Sequence, residues 1–211
     1  MQNSSMFPRI FVALLALFAF ASQTPGETPQ ATPPPPPVAT GANVQPELFD
    51  VSLGFNYLRV ENAFAKNMYG FDLSLFLNLK SWLAFGGEFI GAWGQEDHLF
   101  FGRTLTFDES RAVYAAGVRV KVWNKDRFKV FAEALAGGAH GHISTQVFGV
   151  TRSASADGFA AVVGGGAEWK FAPRFSWRIL EADYVPAEFN SHWENDFRVA
   201  TGLSYSFGSG W

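Results

Sequence analysis

Two places apart, His142 and Ser144 put an imidazole and a hydroxyl on one face of an extended segment, the base and nucleophile of a hydrolytic site. Such a pair needs an acid to orient the ring, and no Glu follows before Glu168. His140 shares the face of His142, but two imidazoles are too few ligands for zinc. His98 and His192 also fall near connections between segments, where solvated side chains are the ordinary outcome, and no cofactor or metal is expected. The larger constellation is electrostatic. Glu88, Arg119, Lys121, Glu133, Glu168, Lys170 and Arg198 all lie on segment faces opposite the bulky apolar residues. Charges of both signs taken out of water must pair. A plug of ion pairs is therefore the leading expectation, and a narrow ion pathway lined by the same residues is the alternative.

These residues need a wall with two different faces. From about Phe49 to Phe207 bulky apolar side chains occupy every second place, most clearly in Phe197, Val199, Thr201, Leu203, Tyr205 and Phe207. Period two is the signature of a strand. Each stretch runs ten to fourteen residues, longer than the five or six of a soluble sheet and matching the nine to eleven or so that a tilted strand needs to cross a bilayer. The pattern predicts strands near 48–59, 68–80, 82–94, 111–123, 128–140, 157–171, 175–186 and 195–208. Tight turns at 80–82, 124–127 and 172–174 alternate with longer connections at 60–67, 95–110, 141–156 and 187–195. Alternation continues through Leu105, Phe107 and Val147, so the hairpins at 98–108 and 142–152 are candidates to project as continued strands. Such alternation implies an all-β fold, an eight-stranded antiparallel up-and-down transmembrane β-barrel.

Which face points outward follows from size. An eight-stranded lumen is barely wide enough for its own side chains. Small and charged residues fit there, while a full set of Phe, Leu and Trp does not. Asp72, Glu88, Arg119, Lys121, Glu168, Lys170, Arg178 and Arg198 are accordingly inward, and Tyr69, Trp82, Trp93, Tyr114, Trp123, Trp169, Trp177, Tyr184 and Tyr205 lie near strand ends, where aromatic girdles sit. Two places break parity. Trp123 has the parity of Arg119, which puts it past the strand or beyond a bulge. Arg178 has the opposite parity to Glu181 and Asp183, which predicts a β-bulge or an early strand end. In the fifth strand, Lys129, Phe131 and Glu133 inside leave Val130, Ala132 and Ala134 outside.

The 211 residues include 23 Phe, 21 Gly and no Cys, with a net charge of −3. Disulfide frameworks and thiolate metal sites are excluded, and nothing in the charge favours a nucleic-acid partner. Arg9, the apolar run Ile10 to Phe20, and Ala19-Phe20-Ala21 before Ser22 read as a secretory signal peptide over 1–21. Residues 22–47, with the run Pro33 to Pro37, read as an extended Pro-rich disordered linker. The barrel domain is then 48–211.

The last strand, with Gly202, then Tyr205 and Phe207 two places apart, resembles the C-terminal sorting signal of bacterial outer membrane proteins. Glu181-Ala182-Asp183-Tyr184, a short loop and Asn195-Asp196-Phe197-Arg198 resemble the final hairpin of the small outer membrane β-barrel domain family of the OmpA type. Gly208 to Trp211 extends past the usual terminal aromatic. The resemblance spans about 48–208. It implies a porin-like, non-enzymatic barrel in a Gram-negative outer membrane, structural and anchoring, with loops open to surface contacts. It also implies a periplasmic linker, outer membrane lipid and lipopolysaccharide around the wall, the outer membrane assembly machinery as a partner, and a monomer. His142 and Ser144 match the His-x-Ser spacing of lipid A deacylases, themselves eight-stranded outer membrane barrels, although Thr145-Gln146-Val147 departs from that family. A lipid A-modifying enzyme is therefore one alternative, and a small ion-conducting pore is the other.

Overall fold

Alternating bulky and small residues leave one conformation that segregates them, and the chain adopts it eight times. The computed structural model describes residues 47–61, 67–100, 103–147 and 150–209. The expected signal peptide, the Pro-rich linker up to residue 46, and the terminal Gly210 and Trp211 lie outside the described residues. Strands β1 (Glu47–Arg59), β2 (Asn67–Asn78), β3 (Leu83–Phe100), β4 (Arg103–Lys125), β5 (Phe128–Val147), β6 (Val150–Ala172), β7 (Phe175–Phe189) and β8 (His192–Ser209) pair antiparallel in sequence order. β8 closes on β1, from Glu47 opposite Ser209 to Arg59 opposite Phe197. Closure leaves no unpaired edge along the barrel wall.

The turns at one end match the tight connections read from sequence. At the other end, the connections expected at 95–110 and 141–156 are strand nearly throughout. β3 and β4 stay paired as far as Phe100 opposite Arg103, and β5 and β6 as far as Val147 opposite Val150. β3 loses its β2 partner above Trp93 and β6 loses its β7 partner above Gly158, so a four-stranded sheet, β3 to β6, rises past the closed barrel. The expected longer connection at 187–195 is instead a tight hairpin. Asn190 and Ser191 turn it with φ of 49° and 67°, the paired positive angles of a type I′ turn, whose twist matches the flanking strands.

Both breaks of parity are bulges. The β4–β5 register slips between Lys121 and Trp123, and Val122 and Trp123 are both exposed. In β7 the register slips between Arg178 and Glu181 against both neighbours, with Ile179 and Leu180 both outward. The extra residue returns Glu181 and Asp183 to the interior beside Arg178.

Outward positions form an apolar belt. Leu53, Phe55, Phe71, Leu73, Leu75, Phe85, Phe89, Phe197, Val199 and Leu203 are all exposed. Along β2 and the turn after it, the outward residues run from Tyr69 to Leu79. Ten residue steps of about 3.3 Å, tilted by about 40°, climb roughly 25 Å. Aromatic contacts ring both ends, with Tyr57 on Tyr69 (5.3 Å) and Phe71 on Trp93 (5.6 Å) at one, and Phe175 on Tyr205 (4.9 Å) and Phe49 on Phe207 (5.3 Å) at the other.

The closing seam is tight where Gly202 faces Gly54. A Cβ at 202 would lie 2.4 Å from the Leu53 carbonyl oxygen and 2.5 Å from the Gly54 Cα. Gly202→Val is expected to destabilise the closed barrel by about 1–3 kcal/mol through overpacking, read as a lower urea midpoint for the compact, heat-sensitive gel band. An unchanged midpoint would mean that the seam has slack.

Candidate functional site

Inward side chains stack in tiers along the axis. Nearest the short turns, Lys129 Nζ lies 2.7 Å from Glu168 Oε2 and 3.8 Å from Asp50 Oδ2, and Lys121 Nζ lies 3.6 Å from the same Asp50 oxygen. Ser206 donates to Asp50 at 2.6 Å, and Lys121 donates to Asn78 Oδ1 at 2.8 Å. Two lysines here meet two acids.

The next tier is built on arginine. Arg198 donates to Glu88 Oε1 at 2.7 Å and to Asp183 Oδ2 at 2.8 Å, and also holds Glu181. Arg178 bonds Asp72 Oδ1 at 3.1 Å, Glu181 Oε2 at 2.8 Å and Ser74 Oγ at 3.2 Å. Arg119 donates to Glu133 Oε2 at 2.7 Å, and its guanidinium sits 3.8 Å from the Phe76 ring centroid and 4.2 Å from that of Phe131. The planar guanidinium suits such stacking, which an ammonium would not match.

Above lies an apolar tier, with Ile90, Val113, Ala139, Ala160, Val162, Val185 and Ala187 in one buried cluster. The outer rim returns to charge. Arg111 bonds Asp196 at 2.5 Å, Glu194 at 2.7 Å and Glu109 at 3.2 Å.

Of the seven lumen charges expected, Glu88, Arg119, Glu133 and Arg198 meet in the arginine tier, and Glu168 lies 3.8 Å from Arg178 at its lower border. Lys121 belongs to the lysine tier. Lys170 does not join the network. Its side chain is 40% exposed at the mouth, 3.0 Å from Glu47. Sequence reading did not assign Asp50, Glu109, Arg111, Lys129, Glu181, Asp183 or Asp196 to the network, although inward parity marked Lys129 and Glu133 alike. Of the sorting-signal residues, Gly202 lies in the seam, while Tyr205 and Phe207 contact each other on the outer face at 5.9 Å.

His140 and His142 lie on the outer surface of the β5–β6 hairpin, two and four residue pairs above the Gly138–Phe159 pair. His142 Nδ1 is 2.8 Å from Ser155 Oγ across the hairpin, and His140 Nδ1 is 2.7 Å from Asp157 Oδ1. Ser144 faces Ser153 and Asp108 in register. The hydroxyl partner of His142 is therefore Ser155, and Ser144 is a neighbour further along the strand. The acid and the hydroxyl belong to different imidazoles, so neither ring has both an orienting carboxylate and a nucleophile among its contacts to described residues.

Replacing Arg198 by Met takes the bonded cation from buried Glu88 and Asp183 and leaves Glu181 with Arg178 alone, and is expected to cost about 3–5 kcal/mol in urea unfolding from detergent micelles. Lys170→Met, at the mouth, is expected to cost no more than about 1 kcal/mol. Equal losses would contradict a dry network.

No family model and no curated protein matches the chain. Among solved structures it resembles the attachment invasion locus protein Ail of Yersinia pestis, at 19% identity over 75% of this chain and 99% of that one, with a TM-score of 0.54. Ail in complex with the heparin analogue sucrose octasulfate gives 18% identity, the same coverage and 0.55. The outer membrane protein OprG from Pseudomonas aeruginosa gives 9% identity over 78% of this chain and 98% of that one, with 0.50. At these identities the shared property is architecture, and this chain has the fold of the small eight-stranded outer membrane β-barrels.

Proposed function

We propose that the chain is a non-enzymatic, monomeric outer membrane protein whose sealed barrel anchors it and displays the β3–β4 and β5–β6 hairpins at the cell surface. The observation that carries this reading is the inversion of the wall: acids and arginines buried inside, Phe, Leu and Trp exposed outside. An exposed apolar surface of this extent favours lipid as its solvent, here outer membrane lipid and lipopolysaccharide. An even strand number puts both ends of the barrel on the short-turn side, which in this reading is the periplasm and receives the Pro-rich linker. Gly202, Tyr205 and Phe207 would present the terminal strand to the assembly machinery.

Two features weigh against conduction. Arg119 is wedged between Phe76 and Phe131, and the apolar tier above carries no charge to hydrate an ion. The split pairing of His140 and His142 weighs against lipid A hydrolysis. Ail was solved with a sulfated heparin analogue, but here the outer rim sets Glu109, Glu194 and Asp196 around a single Arg111. That charge favours a cationic or neutral partner over a polyanion.

Reconstituted in planar bilayers, the purified protein is expected to give no discrete conductance steps, and its expression is expected to leave lipid A acylation unchanged. Regular unitary steps would replace this reading with a pore. Loss of an acyl chain that depends on His142 would replace it with an enzyme.

A further inference from the structure

The arginine tier does not balance its own charge. Three guanidinium groups, Arg119, Arg178 and Arg198, face five carboxylates, Asp72, Glu88, Glu133, Glu181 and Asp183, all buried. The tier beneath is even, with Lys121 and Lys129 against Asp50 and Glu168. Two negative charges are therefore left over in a region that the apolar tier closes from one end. Buried net charge of that size must be neutralised locally.

Geometry indicates where. Glu88 on β3, Glu133 on β5 and Glu181 on β7 each offer a carboxylate oxygen within 4.8 Å of the other two. Glu88 spends Oε1 on Arg198 and Glu133 spends Oε2 on Arg119, which leaves Glu88 Oε2 and Glu133 Oε1 buried without a hydrogen-bond partner. Asp183 Oδ1 and Asp72 Oδ2, in the same tier, are likewise unpartnered. Arg198 and Arg178 already hold both oxygens of Glu181, so within this trio the uncompensated oxygens are Glu88 Oε2 and Glu133 Oε1, and the arginines present do not cancel the surplus.

We propose that the lumen holds one divalent cation of the calcium type, bound by Glu88, Glu133 and Glu181. The donors are hard oxygens, with no cysteine in the chain and no imidazole in this tier, which selects against zinc and copper. Calcium accepts several carboxylates in a flexible shell, whereas magnesium keeps most of its waters and binds through one or two carboxylates, so three acids in a buried tier favour calcium. The charge of the ion cancels the surplus of two. The site would tie β3, β5 and β7 together across the lumen, beyond the contacts each makes with its own neighbours. This inference concerns the lumen alone and does not depend on the membrane assignment above.

The full chain, refolded into detergent micelles with calcium chloride and then desalted, tests it by elemental analysis of the folded band. About one calcium per chain is expected in the wild type, under a tenth of that in Glu88→Gln/Glu133→Gln, and an unchanged amount in the rim variant Glu109→Gln/Glu194→Gln. A folded wild type without metal would overturn the site and leave two shared protons as the neutralising charge. Calcium retained by Glu88→Gln/Glu133→Gln would overturn it as well. If that variant yields no folded band, the luminescence lifetime of terbium bound to wild type decides. About two or fewer coordinated waters support a lumen site, and more overturn it.

Discussion

Opposite walls of this barrel meet through guanidinium groups, and the rest of the structure depends on that contact. Arg198 on β8 reaches Glu88 on β3, and Arg178 on β7 reaches Asp72 on β2. Neither pair is adjacent in the sheet, so these bonds span the lumen where backbone pairing only runs around it. They also hold these charges inside, which leaves the belt outside apolar. The lumen is correspondingly a packed core with an electrostatic lower part and an aliphatic upper part.

Narrowness makes the network possible. Eight strands enclose a space that their own side chains fill, so a long arginine from one wall necessarily arrives at carboxylates on the other. The β7 bulge is part of the device. Without the extra residue between Arg178 and Glu181, either the arginine or the two acids would face outward. A local irregularity in the ladder thus places three charges inside, at the cost of a short stretch of regular pairing. Above the girdle the constraint lifts, and the β3–β6 sheet carries polar pairs such as His140–Asp157 on its outer surface.

Most of the wall was legible from alternation, because period two is a property of each strand alone. The first strand and the short-turn ends of the others came within a residue or two of their positions, and the last strand began three residues earlier than expected. Two of the irregularities were visible as breaks of parity at Trp123 and Arg178, while the register shift between Lys170 and Ala172 was not. What alternation does not contain is height. Stagger between strands sets which inward residues share a level, and so Lys170 reads like Arg198 although one is at the mouth and the other in the middle. The same limit hid the partner of His142. Spacing along one strand suggested Ser144, whereas cross-strand register, set by the hairpin, supplies Ser155. The apolar tier was missed because Ile90, Val113 and Val185 have inward parity but no distinguishing chemistry. The connection expected at 187–195 is shorter in the structure because β7 and β8 stay paired to Phe189 and His192, and Asn190 and Ser191 make a two-residue turn.

The orientation of the wall is open to direct measurement. The chain contains no cysteine, so single nitroxide labels can be placed by Leu73→Cys, Ser74→Cys, Leu75→Cys and Phe76→Cys in protein reconstituted into bilayers. Collision with dissolved oxygen, read by power-saturation spectroscopy, should be high at 73 and 75 and low at 74 and 76. High collision rates at 74 and 76 with low rates at 73 and 75, or no alternation along the strand, would contradict an outward apolar face and a filled, charged lumen.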